Sequence, residues 1–198
     1  MRKEPDPARR NPQTTKAILR AALELAQEEG WSKVSIDGIA ARAGVGRRTI
    51  YRWWPSKGAV VLDAYVQRLR DSPLMRPRSE PSADVRADLV RMVKDAWIEV
   101  VGGSAPLVAA LIGEAQHDED VATRLWERLI APSSEPVIAR IKLAQDQGAI
   151  AAEADPYRCA ELLYGQIYLR LLLTPNNLDE AFLEDCVDLA LNGLRARQ

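Results

Sequence analysis

The fold of this chain is decided by residues 35–57, which read SIDGIAARAGVGRRTIYRWWPSK. Ser35 is a favourable N-cap for a short helix over Ile36–Ala43, whose apolar positions recur at helical spacing. Gly44 tolerates the positive φ that a tight turn between two helices requires. A second short helix over Arg47–Trp54 follows, and Pro55 ends it because proline disfavours the helical conformation at the preceding residue. Two short helices around a glycine-containing turn predict a helix-turn-helix.

The second short helix carries side chains suited to nucleic acid. The small Ala40 allows the two helices to cross closely, and Val45 and Ile50 are placed to face the first helix. The side chains that remain outward are arginines with hydroxyl and aromatic groups: Arg47, Arg48, Thr49, Tyr51, Arg52 and Trp53. Groups of these types read base edges and phosphates. Trp54 follows Ile50 by four residues and is predicted to lie in the core.

Charge is distributed unevenly along the chain. Residues 1–57 carry a net charge of +6 and residues 58–198 a net charge of −7, within a total of −1. A basic N-terminal quarter indicates an anionic partner for that part, although chance clustering of solvated charges is an alternative that charge alone leaves open. Residues 1–12 are predicted to form a flexible basic arm. Its Arg9 and Arg10 either belong to a disordered tail or contact the minor groove or phosphates.

The stretch 35–57 resembles the TetR family of bacterial transcriptional regulators. The resemblance is carried by the Ile-Ala-x-x-Ala-Gly-Val core from Ile39 to Val45, the Thr-Ile-Tyr step at 49–51 and the Pro-Ser-Lys close at 55–57. It covers about residues 14–65 by motif, and beyond them it rests on length and helix count. It implies a homeodomain-like three-helix DNA-binding domain whose recognition helix enters the major groove.

Side-chain chemistry and the resemblance together assign the expected DNA contacts. The residues concerned are Ser35, Arg47, Arg48, Thr49, Tyr51, Arg52, Trp53 and Lys57. The first three residues of the recognition helix are expected to reach into the major groove. Tyr51 is expected to bond a phosphate or pack on a thymine methyl, or else only to pack within the protein. Lys57 is expected to anchor a phosphate near a helix N-terminus, and Ser35 either does the same or only caps its helix.

The rest of the chain predicts more helices and no strand. The helical patterns run from about Thr14 to Gly30, from Ser56 to about Leu69, and over Ala83–Val101, Pro106–Gln116, Asp120–Ile130, Pro136–Gln147, Pro156–Leu173 and Leu178–Arg195. Prolines predict a linker over Ser72–Ser82 and a break over residues 132–136. The expected fold class is all-α. A helix-turn-helix DNA-binding domain over 13–60 precedes a helical bundle for ligand binding and dimerisation over 61–198.

The sequence carries no signature of an enzyme. His117 is the single histidine, and no nucleophile motif accompanies it. No phosphate loop and no metal-ligand spacing occur, so we expect no cofactor and no metal. Cys159 and Cys186 lie in apolar helical patterns and are predicted to be buried thiols. No apolar run is long enough for a bilayer and no signal peptide is visible, so the cytoplasm is the expected compartment.

The last two predicted helices are apolar on more than one side and must be buried from two directions. A partner subunit is one expected cover, and the resemblance implies a homodimer with a four-helix interface; burial within one subunit is the alternative. The expected interface residues are Leu162, Leu169, Leu172, Phe182, Leu183, Val187 and Leu191. A two-fold dimer would place two recognition helices one or more DNA turns apart on a near-palindrome.

The resemblance also implies a small-molecule pocket among the middle helices. Its candidate lining residues, which otherwise would be plain core, are Trp97, His117, Trp126, Tyr164 and Tyr168. Their aromatic character favours an apolar or aromatic ligand. The expected protein is a dimeric DNA-binding repressor that such a ligand releases from its operator by population shift. The alternatives are an activator or a regulator that responds to a protein partner, and a helical adaptor or enzyme that merely contains the motif.

Overall fold

A computed structural model describes residues 11–72, 80–101, 104–173 and 179–192. For residues 99–101 it describes the backbone only. Every regular element in these ranges is helical, which confirms the predicted fold class. The α-helices are α1 Pro12–Glu28, α2 Ile36–Ala43, α3 Arg47–Tyr51, α4 Lys57–Asp71, α5 Val85–Val101, α6 Ala105–Ala115, α7 Glu119–Leu125, α8 Ala131–Asp146, α9 Pro156–Leu173 and α10 Glu180–Asn192. A 3₁₀ turn, Trp31–Lys33, follows α1. The predicted arm up to residue 10 and most of the predicted linker lie outside the described residues.

Helix ends follow local capping chemistry. The side chain of Asn11 accepts hydrogen bonds from the backbone N–H groups of Gln13 (2.9 Å) and Thr14 (3.1 Å), so α1 begins at Pro12, two residues before its predicted start. Proline suits this position because the first turn has no partner for its missing N–H. Helix α3 ends at Tyr51, three residues earlier than predicted.

The predicted break over residues 132–136 is wrong. A π-helical turn, Trp126–Ile130, leads from α7 directly into α8, and α8 runs through Pro136. Pro132 is tolerated because it lies in the first turn of α8. The hydroxyl of Ser134 donates to the carbonyl of Ile130 at 3.0 Å and supplies a hydrogen bond beside the two prolines.

The chain divides into two compact units, Met1–Ser72 with Pro106–Arg128 and Pro73–Ala105 with Leu129–Gln198. In the first unit, α1 packs on α2 and α4, and α7 packs on α4. The approach to α4 is close, since a Cβ at Gly58 would lie 2.9 Å from a methyl of Val121. The predicted functional limits, 13–60 and 61–198, stay a prediction, because a compact unit need not coincide with a functional domain.

The described part of the second unit contains α5, α8, α9 and α10, and each of these helices packs against at least two of the others. Their core is apolar and includes Leu89, Val137, Leu163 and Val187. At the surface, Lys94 of α5 pairs with Glu184 of α10 at 2.9 Å. Among the described residues, no helix combines the length and apolarity that crossing a membrane requires.

A buried charge cluster joins α5 to α8 and was not anticipated from the sequence. Asp88 and Arg140 are 3% and 2% exposed, and Arg140 Nε donates to Asp88 at 2.8 Å. Asp88 also accepts from Arg91 (2.7 Å) and from the backbone N–H of Ser82 (2.8 Å). Burial alone would raise the pKa of the Asp88 carboxyl, but these hydrogen bonds outweigh burial and lower the pKa to about 2.

We predict that Asp88→Asn destabilises the second unit by about 3–5 kcal/mol at neutral pH, because it leaves the Arg140 guanidinium buried without its counter-charge. The pKa of Asp88 is about 2 in the folded protein, and about 3.9 is usual for an unfolded Asp. The stabilisation is therefore complete above the unfolded value and is lost as pH falls towards the folded one.

Urea unfolding of wild type and Asp88→Asn at pH 7, 4 and 2.5 measures this difference, and it should shrink at the lowest pH. The exposed Glu153→Gln serves as the control and should match wild type at pH 7. A difference below about 1 kcal/mol at pH 7, the scale of an exposed ion pair, would show that the cluster contributes little.

Candidate nucleic-acid interface

The turn between α2 and α3 has the geometry that the sequence predicts. Gly44 has φ +66°, in the left-handed region that disfavours any side chain. The N–H of Val45 donates to the carbonyl of Ala40 (3.0 Å) and the N–H of Gly44 to that of Ala41 (3.3 Å), which together form a Schellman motif. Ile50 is completely buried, so α3 is fixed against the core by its inner side.

The outer side of α3 is open to solvent. Arg47, Arg48 and Arg52 are exposed, and Tyr51 is 47% exposed. Thr49 and Trp53 are half-buried, and the guanidinium of Arg52 lies 5.2 Å from the centroid of the Trp53 ring. The six side chains predicted to face outward thus lie within one short segment, and three of them are exposed cations.

The three arginines are engaged to different extents. Arg47 Nε lies 3.0 Å from Asp37, but this pair is exposed and therefore weak. Arg52 stacks on its neighbour as described above. The side chain of Arg48 has no hydrogen-bond or ion-pair partner among the described residues. Arg48 is therefore the α3 arginine whose five donors are most available to an acceptor outside the protein.

Ser35 and Lys57, predicted as phosphate contacts, both have partners inside the protein. The hydroxyl oxygen of Ser35 accepts from the N–H of Gly38 at 3.1 Å, so it serves as the N-cap of α2. Lys57 Nζ lies 3.4 Å from the carbonyl oxygens of both Trp31 and Val34. The two polar side chains that flank the motif thus already bind backbone groups of this chain.

Asp63, which sequence reasoning did not single out, fixes the end of α3 through Trp54. Trp54 is buried, as predicted, and its indole N–H donates to Asp63 of α4 at 2.9 Å. The other carboxylate oxygen of Asp63 accepts from Arg128 at 2.7 Å. The side chain of Asp63 is only 10% exposed, so these two bonds satisfy a carboxylate that would otherwise be costly to bury.

The candidate pocket residues fall in both units. Trp97, Tyr164 and Tyr168 are half-buried in the second unit, whereas His117 and Trp126 are exposed in the first, Trp126 at 59%. Burial raises the pKa of both tyrosine phenols, that of Tyr168 to about 12. A shallow depression of about 620 Å³ in the second unit is lined by none of these five residues. Three of the candidates thus lie in the second unit, and the other two lie at the surface of the first unit.

The candidate dimer residues also divide into two groups. Leu162, Leu169 and Leu172 are 60%, 51% and 43% exposed, and they recur on one face of α9. Phe182 and Leu191 are half-buried. The prediction is wrong for Leu183 and Val187. They are only 1% and 0% exposed inside their own unit, so they offer no surface to a partner subunit. Leu173 and Leu189, at 71% and 55% exposed, are further apolar side chains of α9 and α10 that solvent reaches.

The two cysteines are free thiols, Cys186 buried and Cys159 half-buried, and burial raises the pKa of each. Within the described ranges, no cluster of His, Cys, Asp or Glu is arranged to hold a metal ion.

Two family models match the chain. Residues 18–64 match the model described as "Bacterial regulatory proteins, tetR family", which includes the helix-turn-helix. Residues 80–190, more than half of the chain, match the model described as "Tetracyclin repressor-like, C-terminal domain".

Similar proteins agree with these matches. The chain is 30% identical to the uncharacterized HTH-type transcriptional regulator YdeS of Bacillus subtilis, over 92% of this chain and 90% of that protein. The crystal structure of the TetR family transcription regulator SCO0332 superimposes with a TM-score of 0.73 and 32% identity, covering 93% of this chain and all of that one. FadR of Thermus thermophilus, solved with lauroyl-CoA, shares the fold with a TM-score of 0.69 and 24% identity, covering 93% and 96% of the two chains.

The first two of these proteins are transcriptional regulators, in agreement with the prediction that the chain is not an enzyme. This chain belongs to the TetR family of bacterial regulators and is a DNA-binding transcriptional regulator.

Proposed function

We propose that the protein is a homodimeric repressor that reads a near-palindromic operator through α3 and is released by a small apolar or aromatic ligand. The observation that carries the proposal is the exposed side of α3. There the guanidinium of Arg48 has no partner among the described residues and Tyr51 is 47% exposed, while Ile50 and Trp54 hold the opposite side in the core. A short helix anchored in this way can enter the major groove without rearranging the unit that carries it.

The proposed base contacts centre on the first turn of α3. An arginine there can form two hydrogen bonds to a guanine edge, and Tyr51 can bond a phosphate or pack on a thymine methyl. Arg47 would exchange its exposed pair with Asp37 for a phosphate or a base at little cost, because such pairs contribute little in water. Arg52 and Trp53 come directly after α3 and are proposed to lie along the sugar–phosphate backbone of the DNA.

The exposed leucines of α9 support the proposed dimer. Leu162, Leu169 and Leu172 form an apolar strip on one helix, and apolar strips of this kind on a protein surface mark interaction sites. A two-fold dimer would carry two copies of α3, one for each half of a near-palindromic operator. Phe182 and Leu191 are proposed to lie at the margin of the strip.

A ligand site in the second unit is proposed around Trp97, Tyr164 and Tyr168. The hydroxyl of Tyr164 lies 3.3 Å from the carbonyl of Ser133, to which it donates, and burial raises the pKa of both phenols further above neutral pH. Neutral aromatic walls suit an apolar or aromatic ligand. FadR of Thermus thermophilus, a repressor of the same fold, was solved in complex with lauroyl-CoA, so a protein of this fold binds an acyl-CoA.

We predict that Arg48→Ala and Tyr51→Ala each weaken binding to DNA from upstream of the protein's own gene, without unfolding the chain. For Arg48 the loss should be about 5- to 150-fold for each half-site, equivalent to about 1–3 kcal/mol for one bidentate base contact. A gel-shift titration measures it, with circular dichroism as the test of folding. The control is Arg70→Ala, which removes an exposed arginine near the C-terminal end of α4. Normal binding by both α3 variants would refute the assignment of α3 as the recognition helix.

We predict that binding weakens steeply with salt, because lysines and arginines that neutralise phosphates displace condensed counterions. A dimer with about 6–10 phosphate contacts should lose about 10³–10⁵ in affinity between 50 and 200 mM salt. Fluorescence anisotropy on a labelled duplex measures the dependence. A flat response over that range would rule out binding through the phosphates.

We predict that Leu162→Glu combined with Leu169→Glu converts the dimer into a monomer, since association would then bury charges without a counter-charge in an apolar contact. Analytical ultracentrifugation measures the mass in solution. Ala139→Glu, which adds a charge at an exposed position of α8, should remain dimeric. A double variant that still sediments as the wild type would exclude this strip as the interface.

A further inference from the structure

Lys57 connects the two ends of the helix-turn-helix. It is the first residue of α4, directly after the motif, yet its contacts lie in the segment that precedes α2. Its Nζ lies 3.4 Å from the carbonyl oxygens of both Trp31 and Val34. The same nitrogen lies 4.5 Å from the centroid of the Trp31 ring, over its face. The ammonium of Lys57 thus contacts a residue that lies 26 positions earlier in the sequence.

The contacts form a site that fits an ammonium. The carbonyl of Trp31 accepts from the N–H of Val34 at 3.2 Å within the 3₁₀ turn Trp31–Lys33, but a carbonyl oxygen has two lone pairs, so it can also accept from an ammonium. An ammonium has three donors and no acceptor, so it can satisfy two carbonyls while the aromatic face stabilises the remaining charge. Both hydrogen bonds are partly buried, which protects them from screening by salt.

The position of these contacts gives them a consequence for DNA binding. Ser35, the N-cap of α2, follows Val34 directly, and Ser56, the N-cap of α4, precedes Lys57 directly. The motif therefore begins and ends beside the same ammonium. We propose that Lys57 is a positioning residue that clamps the 3₁₀ turn Trp31–Lys33 to the start of α4, and so fixes the angle at which α2 and α3 meet DNA. This inference rests on the proposed function only in its link to DNA binding.

A clamp and a phosphate anchor differ in a measurable way. A lysine that neutralises a phosphate contributes about 0.9 to the slope of log K against log salt concentration, or about 1.8 for the two copies in a dimer. A clamp contributes nothing to that slope, because its ammonium stays on the protein. Its loss instead weakens binding at every salt concentration and loosens the segment that it holds.

The test uses Lys57→Met and Trp31→Leu in the full-length protein. Trp31→Leu removes the ring from the site without changing any charge. Lys33→Met is the matched control, because Lys33 is an exposed lysine of the same 3₁₀ turn. For each variant, fluorescence anisotropy on a duplex from upstream of the protein's own gene gives the affinity and its salt slope. Thermal unfolding and amide hydrogen exchange of residues 31–35 report on the clamp itself.

The clamp predicts that both variants lose about tenfold or more in affinity, the equivalent of about 1.4 kcal/mol, with the salt slope of wild type. It also predicts faster amide exchange at residues 31–35 and an unfolding midpoint lowered by about 2–4 °C, whereas Lys33→Met leaves each quantity unchanged. The proposal is overturned if Lys57→Met reduces the slope by about 1.8 with unchanged exchange, or if Trp31→Leu binds as wild type does.

Failure of the proposed function would look different. A wild-type protein that binds no upstream duplex even at low salt would refute DNA recognition by α3. The clamp would still be judged by exchange and thermal unfolding, since unchanged values in both variants would overturn it without any DNA present.

Discussion

At the end of α3, the buried indole of Trp54 donates its N–H to Asp63 across 2.9 Å, and Asp63 also accepts from Arg128 at 2.7 Å. An indole N–H and a carboxylate cost free energy in the interior unless they are paired, so a movement that breaks this arrangement is unfavourable. The arrangement fixes the chain where it leaves α3, and Ile50, one turn earlier, is thereby held against the core. The outer side that carries Arg48 is exposed as a result of this inner constraint.

Local chemistry made the helix-turn-helix predictable from the sequence. Ser35, Gly44 and Pro55 act on residues next to them, so α2 was predicted with its observed limits and α3 with its observed start. The spacing of apolar residues identified the inner side as well, and Trp54 is buried as it required. The exposure of the α3 arginines follows from the same spacing, whereas their role at DNA remains a prediction.

Contacts between distant residues were beyond sequence reasoning. Asp88 and Arg140 lie 52 positions apart, and no periodicity indicates that two helices will bury one charge pair between them. Apolar spacing on α10 showed that Leu183 and Val187 needed cover, but it could not show that their own unit supplies it. The chemistry of Lys57 suits a phosphate as well as a carbonyl, so its two carbonyl partners could be identified only from the structure.

The central claim is that the outer side of α3 lies in the major groove of DNA, once in each half of a symmetric pair. Methylation interference on the upstream duplex tests it directly, because dimethyl sulfate marks guanine N7 in the major groove and adenine N3 in the minor groove. The account predicts that guanine methylation blocks binding in two half-sites about one helical turn apart, or a multiple of that distance, and that adenine methylation there does not. Interference confined to adenines, or absent from both half-sites, would contradict it.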